Sequence, residues 1–228
     1  MNHAGKAGQA GQRMIGKALV LLLAVLGGGM VAAWLHTLLA AAATVLILAW
    51  LLFALFTFYF FRDPTPIVPQ KAEAIVAPAH GTVDRVSEHL ENEYVGGPCK
   101  RISIFLSVFN VHVQNAPVAG QVAYVKHHPG QFLNAMKAES AACNENVLIG
   151  LESSERPGEK IGVRLIAGLI ARRIVPWVSA GDTIARGERI SLIQFGSRCD
   201  LYLPLTVEVK VKPGDKVRGG ETIVALRS

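Results

Sequence analysis

Charge is missing from two long stretches near the start of this 228-residue chain: residues 18–35 and 38–61 contain no Asp, Glu, Lys or Arg. Each stretch is long enough to cross a hydrocarbon core of about 30 Å at about 1.5 Å per residue. Cysteine is scarce. Cys99, Cys143 and Cys199 are odd in number and lack paired metal-ligand spacing, which argues against a disulfide framework and a zinc site and suits a reducing cytoplasm. The net charge is +6, yet there is no long Lys/Arg run and no nucleic-acid module, so nucleic acid is discounted as a partner. The basic excess suits an anionic membrane leaflet instead. Sustained heptads are absent between Arg62 and Ser228.

Lys6, Arg13 and Lys17 precede the first apolar stretch, the arrangement of a signal peptide. The second stretch follows after only His36 and Thr37, with no polar region and small-residue cleavage site between them. A retained transmembrane helical hairpin over 18–61 is therefore expected, after an N-terminal segment 1–17 and before a globular domain 62–228. Arg62 and Lys71 follow the hairpin, so the positive-inside rule puts both the N-terminus and the domain in the cytoplasm.

Beyond Arg62-Asp63-Pro64-Thr65-Pro66, whose prolines end the second helix, the chain reads as short strands. Alternation is cleanest over 205–212, where Leu205, Val207, Val209 and Val211 share one face. Further strands are expected at 102–108, 146–151, 160–166, 173–178, 189–193 and 221–226, and one short helix at 130–142. An internal echo relates Gly181-Asp182-Thr183-Ile184-Ala185-Arg186-Gly187-Glu188 to Gly214-Asp215-Lys216-Val217-Arg218-Gly219-Gly220-Glu221. Such Gly-Asp corners with a buried β-branched residue suit the barrel-sandwich folds of lipoyl-type domains. The predicted fold is thus mainly β: a barrel-sandwich-like domain with short helices behind a transmembrane helical hairpin.

The dipeptide Gly196-Ser197 lies in Ile190-Ser191-Leu192-Ile193-Gln194-Phe195-Gly196-Ser197-Arg198. Alone it would be a turn. Its company changes that. Phe60-Phe61-Arg62-Asp63-Pro64, the 105–113 run ending Phe109-Asn110-Val111-His112-Val113, Asn146-Val147-Leu148, the 166–175 run and the 181–198 stretch together resemble the short class of phosphatidylserine decarboxylase proenzymes. The resemblance implies autocatalytic serinolysis: the Ser197 hydroxyl attacks the Gly196 carbonyl, and elimination then leaves a pyruvoyl group, the cofactor, on residue 197. Residues 1–196 become the β chain and 197–228 the α chain, which stay associated. The ketone forms a Schiff base with the amine of an anionic serine phospholipid and accepts electrons as carbon dioxide leaves, giving phosphatidylethanolamine. No metal is implied.

His112 is the candidate for proton transfer, because the family places a histidine in this setting and imidazole titrates near neutrality. Arg198, Arg172 and Asn115 are candidates for binding the head group, since guanidinium and amide groups hold phosphate or carboxylate. Two departures stand out. Relatives commonly have Pro-Ala-Asp-Gly where this chain has Pro78-Ala79-His80-Gly81, and their second histidine is Asn115 here. His80 or Asp84 is left to supply the missing polar role, or Ser197 is activated differently. Two other classes compete: a membrane-anchored, lipoyl-like adaptor without activity, and a serine hydrolase using Ser197 with His112. The hydrolase would want glycine on both sides of its serine, and Arg198 follows Ser197. Self-association is left open.

Overall fold

A computed structural model describes residues 6–133, 143–169, 173–194 and 196–227. The chain divides into Met1–Thr57 and Phe58–Ser228. Helix α1, Lys6–Phe60, runs unbroken for 55 residues. This corrects the expected hairpin. His36 and Thr37 carry no helix-stopping proline or glycine, and the Thr37 hydroxyl donates to the Trp34 carbonyl at 2.7 Å, so the helix absorbs the polar pair. Gln12–Phe60 is long and apolar enough to cross a membrane. Its side chains are exposed almost throughout, and an apolar surface on all sides marks membrane association.

The second unit is built of strands: β1 (Ala74–Val76), β2 (Gly81–Glu91), β3 (Gly97–Leu106), β4 (Val113–Asn115), β5 (Gly120–His128), β6 (Asn146–Ser153) and β7 (Lys160–Ala167). Then come β8 (Arg173–Pro176), β9 (Thr183–Ile184), β10 (Arg189–Gln194), β11 (Ser197–Leu203), β12 (Glu208–Val209), β13 (Lys216–Val217) and β14 (Ile223–Leu226). An eight-stranded sheet runs β13-β2-β3-β11-β7-β6-β5-β9 and curls into a half-barrel; two three-stranded sheets, β1-β14-β12 and β4-β10-β8, complete the domain. The fold is mainly β, as the alternation predicted.

The Gly-Asp echo builds the two edges of the large sheet. Its first copy carries β9, on β5, and its second carries β13, on β2. Equivalent bonds recur: Gly181 N–H donates to Val122 O at 2.7 Å and Gly214 N–H to Val83 O at 2.8 Å. Gly187 and Gly220 take φ of 78° and 74°, a left-handed region open to glycine. Ile184 and Val217, the β-branched residues of the echo, both enter the core.

Strands β2 and β5 escaped the sequence reading because a register shift interrupts each, at Val83/Arg85 and at Val122/Tyr124. Conversely, the run 205–212 keeps its buried face at Val207, Val209 and Val211 but pairs only at Glu208–Val209. Pro204 starts a turn there, closed by Val207 N–H to Pro204 O at 3.3 Å, and leaves Leu205 exposed. The expected helix at 130–142 falls mostly on residues 134–142, outside those described.

Three of the four strands after residue 196, β11, β13 and β14, pair with strands that precede it. β11 is buried at all seven positions and pairs along its length with β3 and β7. β14 pairs with β1, and Arg227 ties the end of the chain to Glu159, Glu155 and Ser153. Glu159 is itself buried and has no other ion-pair partner among the described residues. Arg227→Ala should therefore strand a buried carboxylate and cost about 3–5 kcal/mol. A clear drop in melting temperature of detergent-solubilised protein checks this.

Candidate active site

Residues Phe60 to Asp63 brace the site. The Arg62 guanidinium lies over the Tyr59 ring at 3.9 Å and donates to Phe109 O at 2.7 Å, while Asp63 pairs with Arg189 at the start of β10. The turn reached by Arg62 is closed by its own sequence. Asn110 N–H donates to Ser107 O, and Asn110 Oδ1 accepts from both the N–H and the hydroxyl of Ser107. This closure aims the Asn110 carbonyl at His112, whose Nδ1 lies 2.9 Å away.

His112 is fully buried and its ring stacks on Phe60, with centroids 4.3 Å apart. Its backbone carbonyl is held by Ile193 N–H at 3.1 Å and by the Gln114 amide at 2.7 Å. The imidazole is thus fixed relative to β10, the strand that leads into Gly196. Its other nitrogen, Nε2, receives the Gly196 N–H at 3.2 Å. A carbonyl can only accept and an amide N–H can only donate, so the proton sits on Nδ1 and the lone pair on Nε2. Protonating Nε2 would set two donors against each other. Burial lowers the His112 pKa to about 4, with Arg62 lowering it further and the bond to Asn110 opposing. The ring is neutral at neutral pH.

The Gly196 carbonyl is engaged as well. It accepts from Gly168 N–H at 3.1 Å, so the residue is gripped at its nitrogen by His112 and at its oxygen by Gly168. Gly168 follows the end of β7, which is pinned by Asn144: the Asn144 amide donates to Ala167 O at 2.7 Å. Gly196 has φ of 65°, where a side chain would cost about 1–2 kcal/mol. Space does not impose the glycine, because an added Cβ would meet nothing nearer than Val108 Cγ1 at 3.8 Å.

Ser197 opens β11 between Leu106 of β3 and Ala167 of β7. It is fully buried, and its Oγ has no hydrogen-bond partner among the described residues. An orphan hydroxyl of this kind costs about 1–3 kcal/mol. Chemically the arrangement offers an unengaged oxygen nucleophile, a carbonyl polarised by one N–H donor, and a neutral imidazole lone pair one residue away.

The other sequence candidates lie elsewhere. Arg198 is on the opposite face of β11 from Ser197, where it forms a buried pair with Asp200 at 2.7 Å and donates to Ser103 Oγ. It is committed to the sheet rather than to a ligand. Arg172 lies outside the described residues. The Asn115 amide donates to Gly187 O at 2.9 Å. His80 and Asn115 do converge, since both would crowd a Cβ on Gly219. Asp84 is exposed at the register shift of β2 and supplies no buried carboxylate. The sequence reading missed Gly168, whose backbone donor has no residue-type signature, and Phe60, whose motif was visible but whose stacking was not.

Residues 53–225 match the sequence profile of the family described as phosphatidylserine decarboxylase. The phosphatidylserine decarboxylase proenzyme of Desulfotalea psychrophila is 45% identical over 185 residues, which is 81% of this chain and 86% of that protein. The proenzyme of the same name from Symbiobacterium thermophilum is 44% identical over 171 residues, 75% of this chain and 79% of that one. In Amoebophilus asiaticus the corresponding protein is 38% identical over 207 residues, 91% of this chain and 88% of its own. The similarity covers the helix end, the gripped glycine and its neighbouring serine, and on it the chain belongs to the phosphatidylserine decarboxylase family and is a decarboxylase.

Proposed function

We propose that the chain cuts itself between Gly196 and Ser197, converts Ser197 to a pyruvoyl group, and then decarboxylates phosphatidylserine to phosphatidylethanolamine. The observation that carries this reading is the buried, unpartnered Ser197 Oγ beside a Gly196 carbonyl already bonded to Gly168 N–H. The residues fit the group: a small ketone on residue 197 would replace a hydroxyl that satisfies nothing among the described residues.

In the cut, Ser197 Oγ attacks the Gly196 carbonyl carbon while His112 Nε2 exchanges the Gly196 N–H for the hydroxyl proton. Gly168 N–H holds the charge that develops on the carbonyl oxygen, a donor worth about 10²–10³ in rate. The C–N bond breaks, the amine takes a proton, and an ester joins the two residues. Loss of the Ser197 α-proton then expels the Gly196 carboxylate, leaving dehydroalanine. One water adds and one ammonia departs. In the mature enzyme, the pyruvoyl carbonyl supplies an electron sink for the pair left behind by carbon dioxide. His112 Nε2, once it has taken up a proton, delivers it in place of the carboxylate, and Asn110, which keeps the Nδ1 proton, returns the ring to its neutral tautomer. The α chain stays because β11 and β14 remain paired with β-chain strands. We place the catalytic domain at the cytoplasmic face of the cell membrane, with Arg62 and Lys71 following the apolar helix and three cysteines suited to a reducing compartment.

Intact mass spectrometry should show the purified protein as two pieces ending at Gly196 and starting at residue 197, the smaller resistant to Edman degradation. Ser197→Ala should stay full length and release no carbon dioxide from phosphatidylserine; cutting in that variant would refute the assignment. The cut should also run at a constant rate from pH 6 to 8 and fail as pH drops toward about 4, where His112 gains its proton. Phe60→Ala, which opens the ring to water, should move that midpoint upward toward about 6.5. Timed gels of freshly synthesised precursor across pH read both effects.

A further inference from the structure

A second concave site lies beside the gripped glycine; its lining leaves out His112, Gly168, Gly196 and Ser197 but shares Arg62 and the Ser107–Asn110 turn. It is a cleft of about 370 Å³ walled by Arg62 and His80, by Thr82 of β2, by Ser107 and Asn110 of the turn, and by Lys216 and Arg218 at β13. No carboxylate lines it among the described residues. Arg62 spends its bonds on neutral carbonyls, those of Tyr59 and Phe109, and so keeps its charge uncompensated. Lys216 has no acidic partner among the described residues, and Arg218 reaches only Glu221, at 3.6 Å with its side chain 76% exposed. Burial first, with Arg62 and Arg218 adding to it, lowers the His80 pKa against the pull of Glu221 and Asp63, so this ring adds donors rather than a fixed charge.

Three cations and the Thr82 hydroxyl around a cleft that no described carboxylate lines are the chemistry that holds a phosphate, the Ser107 proton being given to Asn110. Its position connects it to Ser197. Thr82 pairs with Phe105 in the row of Arg198, so its side chain lies on the face of the sheet opposite Ser197, and the cleft meets residue 197 around the end of β3, at the turn, about two strand spacings away. The turn forms the wall between them: Ser107 and Asn110 face the cleft, while the Asn110 carbonyl orients His112.

Resting on the function proposed above, we infer that this cleft is the phosphate subsite of the lipid head group, with Lys216 and Arg218 as its movable cations and Arg62 as its fixed one. A phosphodiester seated there directs the serine amine and carboxylate across the turn toward residue 197. The echo that closes the sheet edge thereby also supplies the substrate clamp.

The test compares wild type with the double variant Lys216→Ala, Arg218→Ala, assayed on phosphatidylserine in neutral detergent micelles. Each lost charged contact is worth roughly a factor of ten, so KM should rise about 10- to 100-fold with kcat within about twofold. Self-cutting, read by mass spectrometry, should be complete in both proteins. An equal charge loss outside the cleft, Arg156→Ala with Lys160→Ala, should leave KM unchanged. Glycerophosphoserine should compete with the lipid in wild type and lose its effect in the double variant, and inorganic phosphate should compete far more weakly. Unchanged KM in a fully cut double variant overturns the subsite. So does an equal rise in the control pair, which would reduce the effect to general attraction. Inorganic phosphate competing as well as glycerophosphoserine overturns the head-group assignment in favour of a free-phosphate site. An uncut wild type would instead defeat the underlying reading, and is scored separately.

Discussion

The grip on one residue governs the domain. Gly196 is held at its nitrogen by His112 Nε2 and at its oxygen by Gly168 N–H, with a backbone angle that favours glycine. Next to it a serine hydroxyl is buried without a partner among the described residues. Each element has a cost, about 1–3 kcal/mol for the orphan hydroxyl. The surrounding sheets must over-determine the geometry for that arrangement to persist. They do so through β3 and β7 on either side of Ser197, through β10 entering from one direction, and through Asn144 fixing the end of β7.

That placement reconciles two demands that seem opposed. The proposed self-cutting would require the chain to lose a covalent bond without losing its fold. Locating the bond where the gripped glycine meets the first residue of a buried central strand meets both demands. The carbonyl carbon is reachable at the glycine, while the new terminus is locked by hydrogen bonds to two neighbours along the whole of β11. The far end of the same segment is secured separately by β14 and by the Arg227 cluster. Neither depends on the amide at 196–197.

Within the strand-built unit, the Phe60 to Asp63 motif meets the chemistry by direct contact. Phe60 covers the imidazole, Arg62 fastens the turn that sets its tautomer, and Asp63 fastens β10. Burial under that aromatic ring keeps His112 uncharged at neutral pH, which leaves a lone pair available where a solvated histidine would be partly protonated.

The sequence by itself determined the fold class, since period-two alternation and Gly-Asp corners have no helical solution. It also determined the charge-free helical segment and, through the order of several motifs, the family to which the chain belongs. Tertiary structure decided the rest. A backbone N–H such as that of Gly168 leaves no trace in residue type, so the donor facing the Gly196 oxygen became visible only once β7 and β11 were paired. Arg198 looked fit for an anion until strand alternation and the Asp200 carboxylate turned it to the opposite face. Asp84 looked equivalent to a residue four places earlier until a register shift put it in solvent. One helix stands where two were expected, because a two-residue polar interruption satisfies its own hydrogen bonds within the helix. Local sequence sets which conformations a segment can take, whereas the partners of its backbone groups and the direction of its side chains are fixed by strands distant in the chain.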